Sequence, residues 1–290
     1  MASTEPHAAA NVRPLAGLDD ATLGMLDDLV VQSGWNQTRD DWGVFARHGS
    51  IGVIRDAADR IVASGAVLPM GAGLRGGSVA WISMILVAPA ERGRGLGRAV
   101  FDHCLRTARA AGHVPMLDAT PQGEPLYRQF GFQPLWSLTR WRRGPTTSSG
   151  RDLPDVRLDF EPFAALDAQA LGFRRPGLLG ELTARPGSRC VRAAAAVGVV
   201  RAGRIAHQIG PVLATDEASA AAVVRRVADS LPGPLMIDAP DDRAGFAQAL
   251  AAAGFERQRT FVRMALAAPG QHLPRGETGL IYAIAGPEFA

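Results

Sequence analysis

The sequence predicts an α/β protein in which one unit of strands and helices occurs twice in tandem. Three observations carry this. Short strand-like apolar runs alternate with runs of helical period along 290 residues, a length that suits two domains better than one. A stretch without a single apolar residue, RRGPTTSSGRD, breaks the chain near its middle. An ordered set of short motifs before that break returns after it.

In chain order, residues 1–11 read as a disordered lead-in, 12–142 as a first domain, 143–152 as a linker and 153–290 as a second domain. Asp20 to Gln32 places Leu23, Leu26 and Val30 on one helical face. Thr38 to Arg47 opens with Thr and acidic residues before an apolar pair, a second helix start. Strand-like runs follow at Ser50–Ile54, Arg60–Leu68 and Ser78–Ala88, then a helix from about Leu96 to Ala111. Val114–Ala119 reads as a strand, Glu124–Phe130 as a helix and Phe132–Trp141 as a strand. The second half runs helix, strands, helix, strand, helix, strand. Its clearest parts are Arg204–Leu213, Glu217–Ser230, Pro234–Asp238, Arg243–Ala253 and Arg257–Leu266.

The repeat is specific in order and spacing. PMLDATP (Pro115–Pro121) precedes Gly131-Phe132, with Arg140 nine residues beyond the glycine. PLMIDAP (Pro234–Pro240) precedes Gly254-Phe255, again with an arginine, Arg263, nine residues beyond. Asp118 therefore matches Asp238, and Arg140 matches Arg263.

Composition narrows the function classes. Hydrophobic content of 47% and charged content of 20% leave ample core, and no apolar run reaches the roughly 18–20 residues of a membrane span. The net charge is +3, every basic residue is arginine, and the arginines are dispersed, so no nucleic-acid surface is read from them. Cys104 and Cys190 both lie in apolar contexts, fitting small core residues in a reduced, cytoplasmic setting. No metal site is expected.

The strongest chemical signal is Glu91–Gly97, ERGRGLG, between a strand and an apolar-periodic helix. Glycines allow a tight turn whose N–H groups point outward at the positive end of a helix dipole, where a diphosphate fits. A P-loop would need a lysine, and the chain has none; a Rossmann fingerprint would need a different glycine period. The pattern Arg92-x-x-Gly95-x-Gly97 resembles the acyl-CoA pyrophosphate loop of the GNAT superfamily. Leu126–Phe132, LYRQFGF, resembles the segment in which that superfamily carries a tyrosine four residues before a Gly-Phe pair.

The resemblance implies two mixed, mostly antiparallel sheets flanked by helices, with acetyl-CoA or another acyl-CoA bound in the first. Arg92, Gly93, Arg94, Gly95, Leu96 and Gly97 would hold the diphosphate, and Ile85 and Val87 would offer backbone groups to pantetheine. Thr120 stands where the family often has an asparagine, and its hydroxyl can still donate. Tyr127 would protonate the departing thiolate; the other reading is a tyrosine packed beneath the cofactor. A phenol with a pKa near 10 can serve a thiol near 8.5 only when positioned for it. Trp35, Asn36 and Trp42 would form the acceptor wall, although both tryptophans also suit a core.

No general base is assigned: where some family members carry a glutamate this chain has Trp81, and Asp118, His48, Asp41 or a water chain stay open. In the second copy the loop position reads ATDEASA (Ala214–Ala220) and the tyrosine position is Leu250, which implies a unit without chemistry. Arg174 and Arg175, beside Gly177, are either an anion site or surface charge. The expected activity is transfer of acetyl from acetyl-CoA to a primary amine of a small molecule, by a monomer or homodimer. The alternative is a non-catalytic acyl-CoA sensor or scaffold.

Overall fold

A computed structural model describes residues 11–74, 77–146, 152–153 and 155–290. The expected lead-in up to residue 10 and residues 147–151 of the expected linker lie outside the described residues.

The first half begins with β1 (Arg13–Pro14), then α1 (Asp20–Gln32), α2 (Arg39–His48), β2 (Ser50–Arg55), β3 (Ile61–Ala72) and β4 (Ser78–Val87). It continues through α3 (Leu96–Ala110), β5 (Val114–Ala119), α4 (Glu124–Gln129) and β6 (Gln133–Arg143). The second half comprises α5 (Phe160–Leu171), α6 (Pro176–Ala184), β7 (Arg189–Ala193), β8 (Ala196–Arg201) and β9 (His207–Ala214). Then come α7 (Glu217–Ser230), β10 (Leu235–Pro240), α8 (Ala244–Ala252), β11 (Glu256–Ala265) and β12 (Ile281–Ala283). Helix starts are set by local chemistry: Asp19 accepts from the Thr22 N–H ahead of α1, and Thr38 with Asp41 forms a reciprocal capping box ahead of α2.

The twelve strands of the described residues belong to one mixed, mostly antiparallel sheet in the order β1-β2-β3-β4-β5-β11-β6-β10-β9-β8-β7, with β12 pairing β9 off this path. The two halves therefore exchange strands. β11, from the second half, lies between β5 and β6, and β6, from the first, lies between β11 and β10. The exchange explains the recurring aspartates and arginines. Arg263 on β11 makes a two-pronged bond to Asp118 on β5, 2.8 Å on each arm, and Arg140 on β6 does the same to Asp238 on β10, at 2.7 and 2.8 Å. The paired aspartates thus hold buried ion pairs across the halves.

Among the described residues, each half contains one parallel strand pair, β4–β5 and β9–β10, and each pair is short. β4 follows β5 only from Val79–Val114 to Trp81–Met116, and the strands part beyond that point. A bulge at Met84, whose φ is +55°, breaks the register with β3 there, and the Ser64 hydroxyl donates to the Met84 carbonyl at 3.0 Å. In the second half β9 and β10 pair from His207–Leu235 to Ile209–Ile237, and β12 runs along β9 beyond. The N–H of Ile284 donates to the Asp238 carbonyl at 3.0 Å, so the chain fills the second gap with itself. Gly210 is required beneath it: its φ is +153° and a Cβ would overlap the Ile284 carbonyl.

The main core joins the halves, packing Trp42, Phe45 and Trp81 with Leu178, Leu182 and Phe289. Among the described residues no helix is long and apolar enough to cross a membrane.

Candidate active site

Where β4 leaves β5, a cavity of about 610 Å³ opens between them. Ile82 to Val87 form one wall, and Leu117, Asp118 and Thr120 to Gly123, with Leu126 and Tyr127, form the other. Six of the sequence-expected residues line it: Ile85, Val87, Arg92, Thr120, Tyr127 and Trp35.

Arg92 marks the end nearest the glycine-rich turn, and its Nε donates to the Val87 carbonyl at 3.3 Å. Gly93 and Gly95 both have φ of +78°, and no atom lies within 4 Å of a Cβ built at either. Gly95 is the N-cap of α3 and supplies no capping side chain. Among the described residues no backbone acceptor takes the N–H groups of residues 93–98, so the turn and Gly97 present free donors at the positive end of a fifteen-residue helix. Arg94 pairs with Glu91, and Leu96 turns inward to pack with Val62, Ala63 and Val100.

Tyr127 is held by aromatic packing, 4.6 Å from Phe101 and 6.3 Å from Phe132 between ring centroids. Burial pushes its phenol pKa up, with the nearby Cys104 adding to the effect. A phenol so shifted stays protonated at neutral pH and is available as a donor. Thr120 Oγ1 accepts from the Gly123 N–H at 3.2 Å, which leaves its own proton free.

Two expected acceptor residues fall elsewhere. Trp42 is fully buried in the core, 6.2 Å from Phe45, because its place in α2 points inward. Asn36 is buried and accepts from the N–H groups of Ile205 and Ala206, both at 3.0 Å, so it joins the halves. The open candidates for a base are also occupied. Asp118 lines the cavity but both its oxygens are taken by Arg263. Asp41 accepts from the Thr38 N–H and from Arg185, each at 2.7 Å. His48 lies 2.9 Å from Glu181 in a separate groove between α2 and α6. Arg175 is no anion site: it is buried, clamps Asp167 at 2.6 and 2.8 Å, and donates to the Phe289 and Ala290 carbonyls.

The cavity also contains residues whose place there no local sequence pattern reveals. Arg140, Arg259 and Phe261 come from the exchanged strands, and Pro287 and Glu288 from the segment after β12. Burial, reinforced by Arg140, brings the Arg259 pKa down to about 10.

In the second half the matching features are closed. Asp216 caps α7, its carboxylate accepting the Ser219 N–H and hydroxyl at 2.8 Å each, and Leu250 is fully buried at the tyrosine position.

Comparison with known proteins agrees with this geometry. A family model described as "Acetyltransferase (GNAT) family" matches residues 25–132, and one described as "Acetyltransferase (GNAT) domain" matches residues 163–282. The uncharacterized N-acetyltransferase YitH of Bacillus subtilis (strain 168) is 27% identical over 192 residues, 62% of this chain and 67% of its own. A putative acetyltransferase from Pyrococcus horikoshii has a similar fold, with a TM-score of 0.75 at 17% identity, covering 100% of this chain and 99% of that one. A tandem GNAT protein from the clavulanic acid biosynthesis pathway, solved without AcCoA, gives 0.57 at 18% identity, over 88% and 98%. With a GNAT model matched in each half and an open, donor-lined cleft in the first, the chain belongs to the GNAT-type N-acetyltransferases, with two GNAT units in tandem.

Proposed function

We propose that the first unit transfers an acetyl group from acetyl-CoA to a primary amine of a small molecule, and that the second unit binds no acyl-CoA. The observation that carries this is the contrast between two equivalent gaps: β4 and β5 part to leave a cavity, whereas β12 fills the gap beside β9.

The residues fit an acyl-CoA. Free N–H groups at the start of α3 suit a diphosphate, and Arg92 adds positive charge beside them. Beyond Trp81, β4 has no strand partner on its β5 side, so its backbone groups there can bond an extended amide chain. The thioester supplies an activated carbonyl for direct attack by the amine. Tyr127 holds a proton at its hydroxyl for the leaving sulfur, and the walls of the cleft orient the two reactants, which contributes several kcal/mol (about 7–11 at best) to lowering the barrier.

The test is CoA release over a panel of small primary amines, followed by Tyr127→Phe on the best acceptor. Turnover should fall about 10²-fold, the low end for a general acid, with acetyl-CoA affinity unchanged. A phenylalanine variant as fast as wild type would reduce Tyr127 to a packing residue.

A further inference from the structure

The chain after β12 does more than fill the second gap. Residues 286–290 cross into the first half and are fixed there by several independent contacts. Trp81 Nε1 donates to the Pro287 carbonyl at 2.8 Å, and the Phe289 ring stacks on Phe45 at 5.5 Å. Arg175 holds the Phe289 carbonyl at 2.6 Å, and the Phe289 N–H closes a turn on the Gly286 carbonyl at 2.9 Å. Trp81 and Phe45 belong to the first half, so the second unit completes a wall of the first unit's cavity.

That wall carries a carboxylate. Glu288 lines the same cavity as Tyr127 and is 7% exposed. Gln37 Nε2 donates to its Oε2 at 2.8 Å. Its ion-pair partner among the described residues, Arg201, stands at 3.9 Å, outside hydrogen-bond distance. The other cavity carboxylate, Asp118, has both oxygens clamped. Glu288 alone of the two retains an oxygen able to take a proton from something in the cleft.

We propose that Glu288, delivered by the second unit, is the general base that deprotonates the acceptor ammonium in the first unit. This rests on reading the cleft as the acyl-transfer site. In the step, the ammonium gives one proton to the Glu288 carboxylate, and the freed nitrogen lone pair attacks the thioester carbonyl. The C–N bond forms and the C–S bond breaks. Tyr127 gives its proton to the sulfur and recovers one from the nitrogen, and the proton on Glu288 passes to solvent. The products are the amide, free CoA thiol and one released proton.

The electrostatics suit a base. Burial pushes the Glu288 pKa above the ordinary carboxylate range; Arg201 on β8, Arg140 on β6 and the residue's own backbone N–H oppose that rise, and Asp41 on α2 adds to it. Arg259 on β11 lines the same cavity and feels the charge of Glu288. A raised pKa brings the carboxylate closer to the ammonium it must deprotonate.

The experiment compares Glu288→Gln, which is isosteric and keeps an acceptor for Gln37, with wild type and with Glu288→Asp. Acetyl-CoA affinity by calorimetry and the melting temperature should stay unchanged. At neutral pH the glutamine variant should lose about 10²–10⁴-fold in kcat/KM and regain most of it as pH approaches the amine's own pKa. The aspartate variant should keep the wild-type shape of the pH profile at a lower rate. A glutamine variant whose pH profile parallels wild type overturns the proposal, as does loss of acetyl-CoA affinity, which would mark Glu288 as structural. If wild type itself releases no CoA with any amine, the reading of the cleft fails instead.

Discussion

Four charged residues hold the centre of the molecule. Arg263 reaches Asp118 with both arms of its guanidinium while lying 4.7 Å from the Trp81 ring and 4.4 Å from the Trp136 ring, and it is 2% exposed. A charge so desolvated is tolerable only while its partner remains. Arg263→Met should therefore destabilise the protein by about 3–5 kcal/mol in urea unfolding, because Asp118 is left buried and unpaired. Adding Asp118→Leu should recover most of that loss; a single variant within about 1 kcal/mol of wild type would contradict the cross-half pairing. The recurrence of these aspartates and arginines is visible in the sequence, but their crosswise pairing is not, since it depends on which strand lies beside which. Tyr127 and the glycine-rich turn are legible because each is a short contiguous pattern with its own local geometry. Trp42 and Asn36 show the limit: residue type suggests recognition, but helix phase turned one into the core and a loop contact tied up the other. Glu288 had no local signal at all, lying 161 residues beyond Tyr127 in a segment that only the fold brings back.

At the scale of elements, α3 and α7 occupy matching places and differ at one cap. The N-terminus of α3 is left open by Gly95, while that of α7 is closed by Asp216. Gly95→Asp would put an aspartate at the head of α3 as in α7, at a φ of +78° rather than the extended −151° of Asp216, and a carboxylate where the proposed diphosphate would sit. Gly95 faces open space and aspartate tolerates a positive φ better than most residues, so the fold should survive. Acetyl-CoA binding should weaken by about 1–2 kcal/mol, on the order of five- to thirtyfold in Kd, measured by calorimetry. Unchanged affinity would make the turn a connector only. Helix α7 and strand β5 run over the ranges the apolar periodicity predicts, Glu217–Ser230 and Val114–Ala119. β12 was not legible because three residues in a Gly- and Pro-flanked segment carry no period, and its pairing with β9 is a tertiary event.

For the whole molecule, the polar stretch around residues 143–152 reads as a boundary, yet the sheet does not respect it. The first half contributes β6 to a place beside β10, the second contributes β11 to a place beside β5, and the segment after β12 then enters the first cavity. Duplication thus leaves two similar units with unequal gaps: one stays open toward an uncapped helix, and the other is filled by the chain and faces a helix capped by Asp216. Calorimetric titration of the full chain with acetyl-CoA tests this division most directly. One equivalent bound per chain is the predicted result; two equivalents, or binding that survives Gly95→Asp undiminished, would contradict it.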